Sequence, residues 1–210
     1  MWIDRAAGPF VVLAAIPAVV SAFAGALTVA AALLVLPIAI ALFFRDPGRT
    51  PPPDPRAVVA PADGRVMFAG EAPPASAPDG AWRQVTIFLS IFDVHINRTP
   101  VAGRVTRVDH VPGSFLPAYR PEARRNEHSE IWLDHRGQTV VTRQVVGVLA
   151  RRVVCRVKRG DDLAAGARIG LMKFGSRMDV FVPPSAELLV TTGQTVRGGE
   201  TVIARLTAGD

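Results

Sequence analysis

A glycine–serine pair near the C-terminus, Gly175-Ser176, joins two apolar, strand-like runs where a loop would normally carry more polar residues. One interpretation is a tight hairpin with Gly175 at positive φ. The other is a self-processing site, because glycine leaves its carbonyl carbon open to attack by the neighbouring Ser176 hydroxyl. That attack would move the acyl group from nitrogen to oxygen. Elimination of the ester and hydrolysis would then leave a pyruvoyl group at position 176 and release ammonia.

Six further short motifs precede this pair in a fixed order, and the ordered set is far more specific than any one member. Together they resemble the phosphatidylserine decarboxylase family, in its short single-domain form with an N-terminal membrane segment. The resemblance runs from about Phe43 to Leu206. The motifs are Phe43-Phe-Arg-Asp-Pro, Pro61-Ala-Asp-Gly, Phe92-Asp-Val-His-Ile-Asn-Arg-Thr-Pro, Val111-Pro-Gly, Asn126-Glu and Val146-Gly, followed by Phe174-Gly-Ser.

The resemblance implies a proenzyme that cuts itself between Gly175 and Ser176. The products would be a β chain (1–175) and an α chain (176–210) that stay associated non-covalently. The α chain would begin with the covalent pyruvoyl group, and no metal would be needed. The pyruvoyl ketone would form a Schiff base with the amine of phosphatidylserine and would accept electrons as CO2 leaves. The expected activity is therefore a lyase reaction that converts phosphatidylserine to phosphatidylethanolamine in phospholipid biosynthesis.

His95 is the candidate acid that returns a proton to the substrate α carbon, because it alone of the four histidines lies in a family motif. The alternative for His95 is a hydrogen-bonded strand histidine. We expect His110, His128 and His135 on loops or exposed strand faces. Asp63 resembles the family aspartate that polarises a histidine and helps to activate the serine, although Asp-Gly is also an ordinary hairpin turn.

Arg98 is the point at which the chain departs from the long-form family pattern. Long-form members have a second histidine there, three residues after the first, in an Asp–His–Ser relay for self-cleavage. The base that deprotonates Ser176 therefore stays open: either His95 serves both steps, or Asp63 acts with Arg98 as an orienting cation. Arg98 is also a candidate for bidentate binding of the substrate phosphate or carboxylate.

An uncharged segment of 36 residues, Pro9–Phe44, predicts that residues 1–44 form a membrane anchor. A single straight helix of that length would be ~54 Å long, well beyond the ~30 Å hydrocarbon core of a bilayer. We therefore expect two short helices that turn near residues 21–25, with a single span as the alternative. Arg5 and Arg45 place both ends, and the catalytic domain, on the cytoplasmic side of the cell membrane. The uncharged run continues well past a small-residue cleavage-like site, which argues against a removed signal peptide.

The remaining chain alternates between proline- or glycine-rich segments and short valine-rich runs. Residues 45–56 predict a stiff linker, and residues 57–210 predict a mainly β catalytic domain. Gly160-Asp-Asp-Leu-Ala-Ala-Gly-Ala-Arg-Ile matches Gly193-Gln-Thr-Val-Arg-Gly-Gly-Glu-Thr-Val at a lag of 33 residues. Each copy predicts a strand–turn–strand unit, so we expect a barrel-sandwich of the lipoyl type. The predicted strands are 57–60, 65–69, 84–90, 103–108, 130–133, 139–157, 178–182, 187–191 and 202–206.

Composition and charge limit the kinds of molecule that the protein is expected to bind. The chain is 49% apolar and 20% charged, which excludes a disordered tail. Arginine supplies 22 of its 24 basic residues, and clusters at 120–125 and 151–159 predict contact with the substrate phosphodiester or an anionic lipid surface, or else a solvated face. Nucleic acid is not an expected partner, because these clusters lack interleaved aromatic residues. The single cysteine, Cys155, excludes an intrachain disulfide and a cysteine-based zinc site. Homo-oligomerisation is left open.

Two other classes of protein compete with the decarboxylase. A lipoyl or biotinyl carrier would present a lysine on such a hairpin, and Lys173 lies beside the repeat. A non-catalytic membrane adaptor would also use an anchored β domain. The adaptor hypothesis gives no function to Asp63, His95 and Gly175-Ser176.

Overall fold

The computed structural model divides into two compact units, Met1–Gly48 and Arg49–Asp210. The first is helical and the second is built almost wholly from strands. A mainly β protein with an apolar helical segment at its N-terminus is therefore confirmed. The division falls within the proline-rich stretch predicted as a linker. The structure describes residues 2–75, 77–148, 153–172 and 176–207.

The helical unit is a hairpin. Helix α1 (Gly8–Phe23) packs against both α2 (Leu27–Leu33) and α3 (Val35–Phe43). Beyond the helices, strand β1 (Trp2–Ile3) pairs antiparallel with strand β2 (Arg45–Asp46). The chain therefore leaves the hairpin beside the point where it entered.

The turn and surface of this hairpin fit the predicted anchor. Gly25 adopts a φ of 77° in the turn, a value that glycine takes without steric penalty. Segment Arg5–Phe23 is long and apolar enough to cross a membrane, whereas Leu27–Phe43 is shorter. The apolar side chains point outward, and Phe23 near the turn is 90% exposed. Water is a poor solvent for such a surface, and insertion of both arms into a bilayer stays a prediction.

The β unit contains fourteen short strands within the described residues. Alternating apolar side chains and frequent glycine or proline punctuation produce them, as the sequence pattern predicts. The strands are β3 (Ala57–Val59), β4 (Gly64–Glu71), β5 (Arg83–Leu89), β6 (Ile96–Arg98), β7 (Gly103–Val111), β8 (His128–His135), β9 (Gln138–Val145), β10 (Val153–Cys155), β11 (Asp162–Leu163), β12 (Arg168–Met172), β13 (Ser176–Val182), β14 (Glu187–Leu188), β15 (Thr195–Val196) and β16 (Val202–Arg205).

Eight of these strands form one antiparallel sheet in the order β11-β7-β8-β9-β13-β5-β4-β15, and two three-stranded sheets have the orders β10-β12-β6 and β14-β16-β3. One face of the large sheet carries the fully buried side chains of the core, among them Ile87, Ile131 and Met178. Strand β13 lies in the middle of the large sheet, between β9 and β5. Ser176 is therefore paired with β5, and from Arg177 onward β13 is paired with a strand on each side.

The two copies of the sequence repeat adopt matching strand–turn–strand units, and the two strands of each unit join different sheets. Gly160 and Gly193 both have a φ of 94°, and Gly166 and Gly199 have φ values of 71° and 78°. Strands β11 and β15, one from each copy, close the two ends of the large sheet, while β12 and β16 are each the central strand of a small sheet. The repeat is thus structural, while its likeness to a lipoyl domain stays a prediction.

The single strand predicted over 139–157 is wrong. Strand β9 ends at Val145 and β10 begins at Val153. Val146 instead donates its N–H to the Glu127 carbonyl at 3.1 Å and accepts from Asn126 Nδ2 at 2.8 Å. Its side chain is fully buried, so the apolar pattern continues where the ladder has stopped. Periodicity reports burial and does not separate a strand from a buried connection.

Candidate active site

Ser176 is the first residue of β13, where it lies opposite Leu89 of β5. It is fully buried, and its Oγ has no hydrogen-bond partner among the described residues. A buried hydroxyl without a partner is costly, so one at this position suits a group that is consumed in a reaction. The residue fits the precursor of a pyruvoyl group on this ground. Gly175, the other residue of the predicted cleavage site, and Lys173, the candidate carrier lysine, lie outside the described residues.

His95 lies just before β6 and is 1% exposed. Its Nδ1 is 2.9 Å from the Asp93 carbonyl oxygen. A carbonyl only accepts, so Nδ1 carries the hydrogen and Nε2 is the basic nitrogen of the neutral ring. The His95 carbonyl accepts from the Met172 N–H at 3.3 Å. The pairing of β6 with β12 thus holds His95 beside Met172, at the end of β12.

Two buried amides, which the sequence analysis missed, lie in the same region. Gln144 Nε2 donates to Asn97 Oδ1 at 2.8 Å, and both side chains are fully buried. Gln144 lies opposite Met178 on the sheet face that also carries Ser176. Asn97 Nδ2 and Gln144 Oε1 have no partner among the described residues. The interior near Ser176 is therefore polar. A glutamine inside a valine-rich run was the signal that could have revealed it.

Asp63 is held by two contacts. Its Oδ2 accepts from Arg49 at 2.6 Å, and its Oδ1 accepts from the Gly198 N–H at 2.7 Å. Arg49 also donates to Glu200 at 3.1 Å. These contacts attach Asp63 to the second copy of the sequence repeat. The relay from Asp63 to a histidine stays a prediction.

Arg98 is largely buried, and its Nη1 donates to the Gly166 carbonyl at 3.0 Å. A methyl group on Gly199 would come within 3.0 Å of the Arg98 Cδ. The Arg98 side chain therefore runs between the tight turns of the two repeat copies. Its predicted role in substrate binding stays untested.

Replacing Asp63 with alanine should destabilise the β unit by about 1–3 kcal/mol, because it removes charge-assisted hydrogen bonds from a largely buried pair. Urea denaturation would measure the free energy of unfolding. Asp109→Ala is the matched control. It breaks an exposed pair with Arg107, for which we expect a loss of less than about 1 kcal/mol. Equal losses in the two variants would contradict a structural role for Asp63.

Two histidines expected on loops or exposed faces are buried instead. His128 and His135 lie at the two ends of β8, 9% and 7% exposed, and each Nδ1 contacts a backbone carbonyl. His110 is on an exposed strand face as expected. The error has a simple cause, because both buried rings satisfy one nitrogen with the backbone, and such contacts leave no trace in the sequence.

Burial lowers the pKa of His128 below its ordinary value of 6.5, and the charge of Arg143 lowers it further. The hydrogen bond to the Asn126 carbonyl and the charge of Glu130 oppose this shift. Arg143 donates through its Nε to Glu130 at 2.9 Å. His128 is therefore held neutral in a buried polar network on the sheet face opposite the core.

The stability of the protein should consequently fall as the pH drops below about 6.5. The unfolded chain binds a proton at His128 there, and the folded chain resists doing so. We expect His128→Gln to lose less free energy of unfolding between pH 7 and pH 5 than the parent protein. His110→Gln, which changes an exposed ring, should keep the parent slope. A His128→Gln slope equal to the parent's would show that other groups cause the loss.

Comparison with known sequences gives a consistent assignment. The profile of the phosphatidylserine decarboxylase family matches residues 36–204. Three similar relatives are phosphatidylserine decarboxylase proenzymes. The Geotalea uraniireducens protein is 43% identical over 200 residues, covering 94% of this chain and 93% of the relative. The Nocardia farcinica protein is 46% identical over 204 residues (94% and 85%). The Gluconacetobacter diazotrophicus protein is 49% identical over 172 residues (78% and 75%). The chain therefore belongs to the phosphatidylserine decarboxylase family.

Proposed function

We propose that this protein is a self-cleaving proenzyme that decarboxylates phosphatidylserine to phosphatidylethanolamine. Membership of the family supports the reaction and the substrate. The observation that carries the mechanism is the fully buried Ser176 hydroxyl, at the residue where the sequence predicts cleavage, with no hydrogen-bond partner in the part of the chain that the structure describes.

Self-cleavage uses only the chain's own atoms and one water. Ser176 Oγ attacks the Gly175 carbonyl carbon, the bond from that carbon to the Ser176 nitrogen breaks, and an ester forms. Elimination then breaks the Ser176 Cβ–Oγ bond, which leaves a carboxylate on Gly175 and dehydroalanine at position 176. Hydrolysis of dehydroalanine gives the pyruvoyl group and ammonia. His95 is a candidate base for the first step, through its Nε2.

The pyruvoyl group supplies a ketone that binds the substrate amine and accepts the electron pair released with CO2. The chain's own residues do the rest. His95 holds the proton that is delivered to the α carbon, with Nδ1 fixed on the Asp93 carbonyl so that Nε2 is available for transfer. The Asn97–Gln144 pair lines the polar interior near Ser176 and contributes one donor and one acceptor for the reacting groups.

The two chains would remain together after cleavage. Strand β13 begins at Ser176 and makes ladder pairs with β5 along its whole length and with β9 from Arg177 to Phe181. These strands belong to the β chain, so backbone hydrogen bonds and the shared core would hold the α chain in place.

The helical hairpin would hold the β unit at the membrane surface where the substrate resides. Tethering raises the effective concentration of a lipid substrate, and the arginines at both ends of the hairpin favour the cytoplasmic side.

The test is an assay of the purified full chain with vesicles that contain phosphatidylserine. We expect stoichiometric CO2 and phosphatidylethanolamine, and loss of activity after treatment with a carbonyl reagent. A mass gain on Lys173 without decarboxylation would favour the carrier function instead. A protein that does neither would favour the adaptor.

A further inference from the structure

A cavity of about 270 Å³ lies on the face of the large sheet that is opposite the core. Arg177 lines it, and although Arg177 follows Ser176 directly, consecutive strand residues point to opposite faces. The cavity is therefore on the other side of the sheet from the Ser176 side chain. Its lining includes Phe68, Gln84, Tyr119, Arg120, Arg124 and Arg177.

The floor of this cavity is an ordered polar chain. Gln84 Nε2 donates to Thr86 Oγ1, and Thr86 Oγ1 donates to Asp179 Oδ1, each at 2.8 Å. Arg177 donates to the other Asp179 oxygen at 2.9 Å. Two atoms of these side chains, Gln84 Oε1 and Arg177 Nε, have no hydrogen-bond partner among the described residues. Gln84 is 4% exposed and Arg177 is 7% exposed, and both atoms are enclosed by protein. Arg177 lines the cavity, so what it offers a ligand there is the positive charge of its guanidinium.

The rim adds positive charge. Arg120 lies just before a short 3-10 helix, Pro121–Arg125, Arg124 lies within it, and both are exposed. Within the part of the chain that the structure describes, no carboxylate pairs with either of them, whereas Asp179 already balances Arg177. The cavity therefore carries an excess of two positive charges next to a buried guanidinium.

This arrangement suits a phosphate better than a carboxylate. A carboxylate has two coplanar oxygens, and a single arginine fork satisfies them. A tetrahedral phosphate offers oxygens in several directions and can accept from three guanidinium groups at once. The volume lies just below the usual range of about 300–1,000 Å³ for ligand pockets, so a group of head-group size fits and acyl chains would stay outside. The rings of Phe68 and Tyr119 offer an apolar wall to the carbon part of such a ligand.

We propose that this cavity binds the phosphate of a small phosphate ester, either a free one or the head group of an anionic phospholipid, at a site separate from Ser176. Arg120 and Arg124 contact the phosphate from the rim of the cavity, and Arg177 lies beneath it. The site is complete in the uncleaved chain, so binding does not depend on the proposed self-cleavage.

Binding can be measured on the full chain in detergent, with Ser176→Ala as the background so that no turnover occurs. The probes are sn-glycerol 3-phosphate and a short-chain phosphatidylglycerol. Isothermal titration calorimetry measures the binding of each. We expect saturable binding of at least one probe, weakened about tenfold or more when both Arg120 and Arg124 are replaced with alanine. The lipid binding more tightly would identify the head group as the source, and the soluble ester binding at least as tightly would identify a free ligand.

Arg125→Ala is the matched control, because Arg125 lies on the same short helix, is exposed, and does not line the cavity. Its affinity should stay within about twofold of the background protein. The proposal is overturned if neither probe saturates, or if Arg125→Ala weakens binding as much as the double variant does. Thermal unfolding of each variant checks that the exposed replacements leave the fold intact.

Discussion

Replacement of Ser176 by alanine is expected to give a protein that stays full length and has no decarboxylase activity. Alanine has no hydroxyl to attack the Gly175 carbonyl, so the backbone cannot be cut and no ketone can form. The loss should be complete within the limit of the assay, because no encoded side chain contains a ketone or an aldehyde that could form a Schiff base with the substrate amine. Denaturing electrophoresis and release of CO2 from labelled phosphatidylserine measure the two effects in one preparation.

Ser185→Ala is the matched control for this experiment. Ser185 is exposed and its hydroxyl lies 3.3 Å from that of Thr207, so this variant should be cut and active like the parent. Alanine at position 176 fills the same buried volume, less one oxygen, and should fold. A Ser176→Ala protein that still splits at that bond, or that still decarboxylates, would contradict the mechanism.

Replacement of His95 by glutamine should lower the turnover number by about 10²–10⁴-fold, the usual contribution of a positioned acid or base. Glutamine keeps a polar side chain in the buried site but cannot deliver a proton. The assay should be run on material whose cleavage has been quantified, so that slower self-processing is separated from slower decarboxylation. A defect in both would mean that His95 serves both steps, and a defect in decarboxylation with normal cleavage would assign the activation of Ser176 to another group.

His110→Gln is the control for this variant, because His110 is an exposed strand histidine. It should retain parental cleavage and turnover. Cleaved His95→Gln protein that turns over at the parental rate would remove His95 from the reaction.

The fold was predictable where local chemistry decides it. The paired glycines of the repeat require positive φ, and their equal spacing predicted two equivalent strand–turn–strand units, which the structure contains. Strand β6 was not predictable, because its three residues, Ile-Asn-Arg, are all buried and show no alternation. Strand β12 was missed for a related reason. Its Gly170 has no side chain to contribute to a pattern, and a methyl group there would clash with the Val154 carbonyl oxygen.

The candidate site likewise contains residues that the sequence predicts and residues that it does not. The motifs of the sequence predict Ser176, His95 and Asp63, because their residue types are typical of catalytic groups. The sequence does not predict the Asn97–Gln144 pair, because its two residues are 47 positions apart. Only the pairing of strands brings those two amides together. The contact of Asp63 with Arg49 depends likewise on the return of the chain after a proline-rich segment. Sequence spacing does not report such approaches.

Intact-mass spectrometry of the purified protein tests the central claim most directly. We expect two species, residues 1–175 and residues 176–210, with an α chain that carries a ketone and no free amine at its first residue. Such a terminus would resist stepwise amino-terminal sequencing. A single unbroken chain of 22.4 kDa that converts phosphatidylserine to phosphatidylethanolamine would contradict the account.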